Sequence, residues 1–93
     1  MAKILRQAIA IFEEIAEADP DRTSANAWIN LADSLGRMGR FLAKEEDRAS
    51  EAKADFERAI AILTDFNGEG RLSATQQKDL DKLTAELKQL VER

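Results

Sequence analysis

Residues Gln7–Glu13 and Glu51–Glu57 are copies of one another, 44 positions apart. The first reads Gln-Ala-Ile-Ala-Ile-Phe-Glu and the second Glu-Ala-Lys-Ala-Asp-Phe-Glu, so Ala8, Ala10, Phe12 and Glu13 recur as Ala52, Ala54, Phe56 and Glu57. Self-similarity at this period marks a helical repeat array, in which each unit buries its apolar face by stacking on a neighbour. Arrays of this kind bind other proteins and rarely do chemistry.

The residue types agree with that architecture. Ninety-three residues form one small domain, taken as 1–93. Of the 44% apolar residues, 16 are alanine, which implies close helix packing rather than a bulky core. One proline and four glycines leave the chain free to be all-α. Histidine, cysteine and tyrosine are absent, which removes the commonest general base, the thiolate ligand and the phenol acid. An enzyme is therefore not expected. Net charge is −4, and without a long basic tract no nucleic-acid surface is expected. No apolar run is longer than that of Ala8–Phe12, which is far short of a membrane span. With no signal peptide legible, the expected location is the cytoplasm.

Four helices are predicted, at about 3–18, 23–45, 49–65 and 73–92. The first stops at Asp19-Pro20, since proline cannot continue a helix and its predecessor is pushed extended. Thr23 or Ser24 can cap the second. Its stripe of Trp28, Leu31, Ala32, Leu35, Met38, Gly39 and Leu42 holds a 3-4 spacing straight through Gly36 and Gly39, which favours one long helix over a break at Gly36–Gly39. Gly39 lies on the stripe and would admit a close neighbour. Lys44–Arg48 forms the hairpin turn, with Asp47 or Ser50 as the next cap. Asn67-Gly68 should end the third helix in the left-handed conformation. Ser73 and Gln76 form a capping box for the fourth. Leu80, Leu83 and Leu87 repeat Leu35, Met38 and Leu42 at an offset of 45, so the fourth helix reads as a worn copy of the second.

Leu35, Met38-Gly39 and Leu42, followed by Ala52, Phe56 and Ala59, resemble the two helices of a tetratricopeptide repeat. Ala8, Phe12 and Pro20 match the second helix and closing proline of a preceding repeat. Asn30-Leu31-Ala32 and Arg37-Met38-Gly39 further resemble the longer repeats, of roughly 42 residues, found in kinesin light chains and bacterial multidomain signalling proteins. The likeness covers about Ala8 to Leu63. The chain departs from the pattern at Glu46, in the length of the helix before it, and in lacking a proline after the third helix. The resemblance implies antiparallel helical hairpins of an α-solenoid and a scaffold that binds a peptide or a partner helix.

Opposite the apolar stripe of the second helix fall Asn26, Asn30, Asp33, Arg37, Arg40 and Lys44, with Phe41 at the edge. In the repeat family this helix lines a concave groove. Asn30, Arg37, Arg40, Phe41 and Lys44 are thus candidate partner-binding residues, suited to an acidic ligand or a free C-terminal carboxylate. The plain alternative is the solvated side of an amphipathic helix. The first helix spreads Ile4, Leu5, Ala8, Ile9, Ile11, Phe12, Ile15 and Ala16 over half its circumference. Homodimerisation that buries Leu5 and Ile9 is expected, unless the fourth helix folds back to cover the face or the chain is cut from a longer array.

Residues 65–76 resemble an EF-hand loop, with Asp65, Asn67 and Glu69 at ligand positions 1, 3 and 5, and Gly70 at the turn. Position 12 is Gln76 in place of the bidentate glutamate. A calcium-responsive module is therefore an alternative function, against the plain reading of a glycine-containing link between helices. A passive structural cap of a larger signalling protein is another. No other cofactor is expected. The carboxylate groups Glu13, Glu14, Glu17 and Glu45–Asp47 read as solvated charge.

Overall fold

The computed structural model describes residues 2–19 and 25–92. They form α1 (Ala2–Glu17), α2 (Ala25–Ala43), a 3-10 turn (Glu46–Arg48), α3 (Ala49–Gly68) and α4 (Ala74–Glu92), with no strand among the described residues. The chain is all-α, as its residues predict. The Pro20 stop and the Thr23 or Ser24 cap lie outside the described residues.

Helix α2 is unbroken through Gly36 and Gly39. Each glycine costs a helix about 1 kcal/mol relative to alanine, and each is offset by close packing. A Cβ on Gly39 would lie 3.0 Å from both Cδ1 and Cε1 of Phe56 in α3, and one on Gly36 would lie 2.9 Å from Cδ2 of Leu83 in α4. The bare backbone at these positions is what lets the two neighbours approach.

Leu31, Leu35, Met38 and Leu42 of α2 face Ala52, Phe56, Ala59, Ile62, Leu63 and Phe66 of α3, all buried. Alanines at the contact bring the axes close, and the two aromatic rings fill the space between. Neighbours in sequence pack closely on one another, α1 on α2, α2 on α3 and α3 on α4. Helix α1 lies along one flank of the α2–α3 hairpin, near Leu35, Met38, Asp55 and Arg58, with Arg58 donating to Glu13. Helix α4 lies along the other flank, near Ile29, Gly36, Arg40 and Leu63. Thus α4 does not fold back over α1.

The copied heptapeptides differ in burial. Ala52 and Phe56 have neighbours on both flanks and are buried, whereas Ala8 and Phe12 have one neighbour and are only partly covered. Leu80 and Leu83 are buried, and Leu87 and Leu90 are half-buried, so the stripe of α4 points inward throughout.

Two boundaries differ from expectation. Neither Asp47 nor Ser50 caps α3. The N-cap position is Arg48 and no side chain caps it. The 3-10 turn already uses the first donors, with the Arg48 N–H bonded to the Glu45 carbonyl at 3.1 Å and the Ala49 N–H to the Glu46 carbonyl. At the other end α3 runs one residue past Asn67 and includes Gly68; the left-handed residue is Gly70, at φ 70°. The Arg71 N–H bonds the Phe66 carbonyl at 2.9 Å and the Gly70 N–H bonds the Asn67 carbonyl at 3.0 Å, which is the Schellman arrangement. The contact that usually accompanies it, between the residue after the glycine and the last helical turn, is here Arg71 stacked 4.5 Å over the Phe66 ring.

The two glycines should therefore answer alanine with opposite signs. Gly68 is helical with open space around it, so Gly68→Ala is expected to stabilise by about 0.5–1 kcal/mol. Gly70→Ala meets no neighbour either, but the left-handed backbone should cost about 1–2 kcal/mol. Thermal melts of the two variants check this. Shifts of equal sign would refute the placement of the cap.

Candidate functional site

The polar face of α2 is at the surface as predicted, but it is not a row of uncommitted cations. Asn30, Arg37 and Lys44 are exposed. The Arg37 guanidinium lies 3.1 Å from Asp33, one turn back on the same helix. Such an exposed i,i+4 pair holds weakly, at about 0.3–0.5 kcal/mol. Phe41 is 37% exposed at the edge of the face.

Arg40 is different. Its Nε donates to both carboxylate oxygens of Glu86 in α4, at 3.0 and 2.8 Å, and both side chains are largely covered. The Glu86 carboxylate holds the guanidinium above its ordinary pKa. Arg40 thus clamps α4 onto α2, and its charge is already answered. Glu86 lies 46 residues away in sequence, beyond any local pattern.

Helices α2 and α4 meet along a shallow seam. Asp33, Gly36 and Arg40 line it from α2, and Gln76, Asp79 and Lys82 from α4. Its charges are mixed, since Asp33 and Asp79 stand among Arg40 and Lys82. The contribution of α4 to this surface was open to the repeat argument, because Lys82 is the counterpart of Arg37 at the same offset of 45.

Leu5 and Ile9 do not face outward. Leu5 packs against Met38, Leu42 and Ala52, and Ile9 packs against both parts of the core. The uncovered large apolar residues of α1 are Ile4, Ile11 and Ile15, at 70%, 57% and 43% exposure. The half-circumference of apolar residues is therefore divided, with one edge spent on the hairpin and the other left at the surface.

The residues of the 65–76 loop are not arranged around a common centre. Asp65 and Asn67 lie within the last turns of α3, so the first two ligand positions are helical. Glu69 lies 3.6 Å from Arg71. Gln76 is taken up in the capping box, its Oε1 accepting from the Ser73 N–H at 2.9 Å while Ser73 Oγ accepts from the Gln76 N–H at 3.1 Å. The sequence between two helices thus serves a Schellman stop followed by a capping-box start. Among the described residues no group of three or more acidic side chains is placed to hold a metal ion.

Between α1 and α3, Asp55 is half-buried, and burial pushes its carboxyl above the ordinary value against the opposing pull of Arg6 and Arg58. It stands in a shallow depression with those two arginines, Ile9 and Glu13. Arg6 also reaches Glu51 at 3.7 Å, so these charges tie α1 to α3. No described helix is long and apolar enough to cross a membrane. No family model matches the chain, and neither the curated proteins nor the solved structures yield a match.

Proposed function

We propose that this chain is a tetratricopeptide-type helical-repeat module that binds a segment of a partner protein across the outer face of α2. The observation that carries the reading is the contact of Gly39 with Phe56. These are the small and the large position of one repeat pattern, on its first and second helix, and they meet. Flanking helices on both sides of the α2–α3 hairpin are what a stacked array requires.

Asn30, Arg37 and Lys44 are the residues that meet the ligand, with Phe41 as the apolar anchor. Arg40 positions α4 through Glu86 and is not a ligand contact. The ligand is acidic or ends in a free carboxylate, because Arg37 leaves its exposed partner Asp33 at small cost and can fork onto a carboxylate.

A display library of peptides, each made with a free and with an amidated C-terminus, tests this by fluorescence anisotropy. Selected peptides should be acidic or require the free carboxylate. Arg37→Ala should weaken them by about 1.5–3 kcal/mol, the range for hydrogen bonds to a charged group, and binding should fall with added salt. Arg40→Ala should instead lower the melting temperature by leaving Glu86 unpaired against α2. Peptides whose affinity ignores Arg37, Lys44 and ionic strength would place the binding surface elsewhere.

A further inference from the structure

We propose that α1 is a self-association surface on which a second copy of this chain docks antiparallel, separately from the α2 face and independently of its ligand. The ridge is exposed Ile4, Ile11 and Ile15 with half-buried Ala8 between them, and it spans about 16 Å of helix at 1.5 Å per residue. Its spacing of 4, 3 and 4 is that of a seam between two paired helices. Three isoleucines on one line form a continuous strip rather than scattered apolar residues, and such strips mark interaction sites.

The order of residues along the ridge selects the occupant and its direction. In an antiparallel pair centred between Ala8 and Ile11, Ile4 faces Ile15 of the second copy, and Ala8 faces its Ile11. Each small residue then meets a large one. In a parallel pair Ala8 would face Ala8 and leave a gap. Charge points the same way. One edge of the ridge carries exposed Lys3 near its start and exposed Glu14 near its end. Antiparallel docking brings Lys3 of each copy beside Glu14 of the other, twice by symmetry. In a parallel pair this edge lies on opposite sides of the seam in the two copies, so Lys3 and Glu14 do not meet. An isologous pair of this kind closes on itself, so it gives a dimer and not a fibre. One helix pair covers much less than the roughly 1,600 Å² of a standard interface. The dimer is therefore weak, and is populated at protein concentrations on the order of 100 µM.

Sedimentation velocity from 20 µM to 1 mM tests the association. A concentration-dependent dimer is expected, and Ile11→Glu should hold the protein monomeric throughout. Because Ile11 is exposed, its circular dichroism and melting temperature at low concentration should match the parent, which separates loss of docking from loss of fold. Direction is read by cross-linking. The chain has no cysteine, so Ile4→Cys and Ile15→Cys each add a single thiol. Mixed and oxidised, the two variants should form the bond between different variants in clear excess over bonds between identical ones. A monomer at 1 mM would overturn the proposal and leave the ridge to some other helix. A dimer that survives Ile11→Glu, or a predominance of identical-variant bonds, would overturn it equally.

Discussion

Replacing Phe56 with alanine is expected to lower the stability of this domain by about 3–5 kcal/mol. The ring is 1% exposed and stands where α2, α3 and α4 come together, against the backbone of Gly39 and beside Ala43 and Leu90. Truncation would remove its transfer free energy and leave a void that the surrounding helices cannot close, because α2 is held from both flanks. A chain of this length has about 5–14 kcal/mol in total, at 0.05–0.15 kcal/mol per residue. The variant should therefore sit near the edge of folding. Urea denaturation checks this through a lower midpoint at unchanged slope. Phe12→Ala is the internal comparison. Phe12 occupies the same place in the repeated heptapeptide but is only partly covered, so its loss should be clearly smaller. Equal losses, or a loss below about 1 kcal/mol for Phe56, would mean that burial does not follow the flanking of the hairpin.

Much of the fold was legible because it rests on local periodicity. The stripe from Trp28 to Leu42 keeps one phase, and a helix that keeps phase through two glycines has packing at those glycines; Phe56 and Leu83 are what pack there. The Ser73–Gln76 box was legible for the same reason, since both partners lie within four residues. The end of α3 was not. Asp-Phe-Asn-Gly-Glu-Gly offers two glycines, and the choice falls on Gly70 because Phe66 is buried and Arg71 reaches back over its ring, a tertiary fact. The candidate binding face was legible as a polar face and misjudged in its charge. Glu86 answers Arg40 from another helix, so a wheel drawn for α2 alone cannot contain it. The division of α1 was hidden likewise. Periodicity defines how wide its apolar arc is, while the hairpin decides that Leu5 and Ile9 are covered and that Ile4, Ile11 and Ile15 are not.

Gly39→Val should destabilise the domain by about 1–3 kcal/mol, the usual cost of overpacking a close-fitting core. The β-carbon alone would stand 3.0 Å from two atoms of the Phe56 ring, tighter than ordinary contact, and the two methyls of valine extend further into the same space. Helix propensity works the other way, since glycine is the poorer helix former by a few tenths of a kcal/mol; the clash outweighs it because the ring is buried and the opposing helix would have to shift. A double-mutant cycle isolates the contact. In Gly39→Val combined with Phe56→Ala, the valine methyls enter the space the ring has left, so the double variant should lose less than the two single losses together, by a coupling of about 0.5–3 kcal/mol. Strict additivity would show that the two side chains do not share that space. Gly36→Ala is the contrasting case. Its nearest obstacle is Cδ2 of Leu83, the far end of a flexible side chain on α4, which can turn aside, so the change should be close to neutral. A severe loss at Gly36 with tolerance at Gly39 would reverse the order of tightness between the two flanks of the hairpin, and with it the assignment of Gly39 and Phe56 as the small and large positions of one repeat.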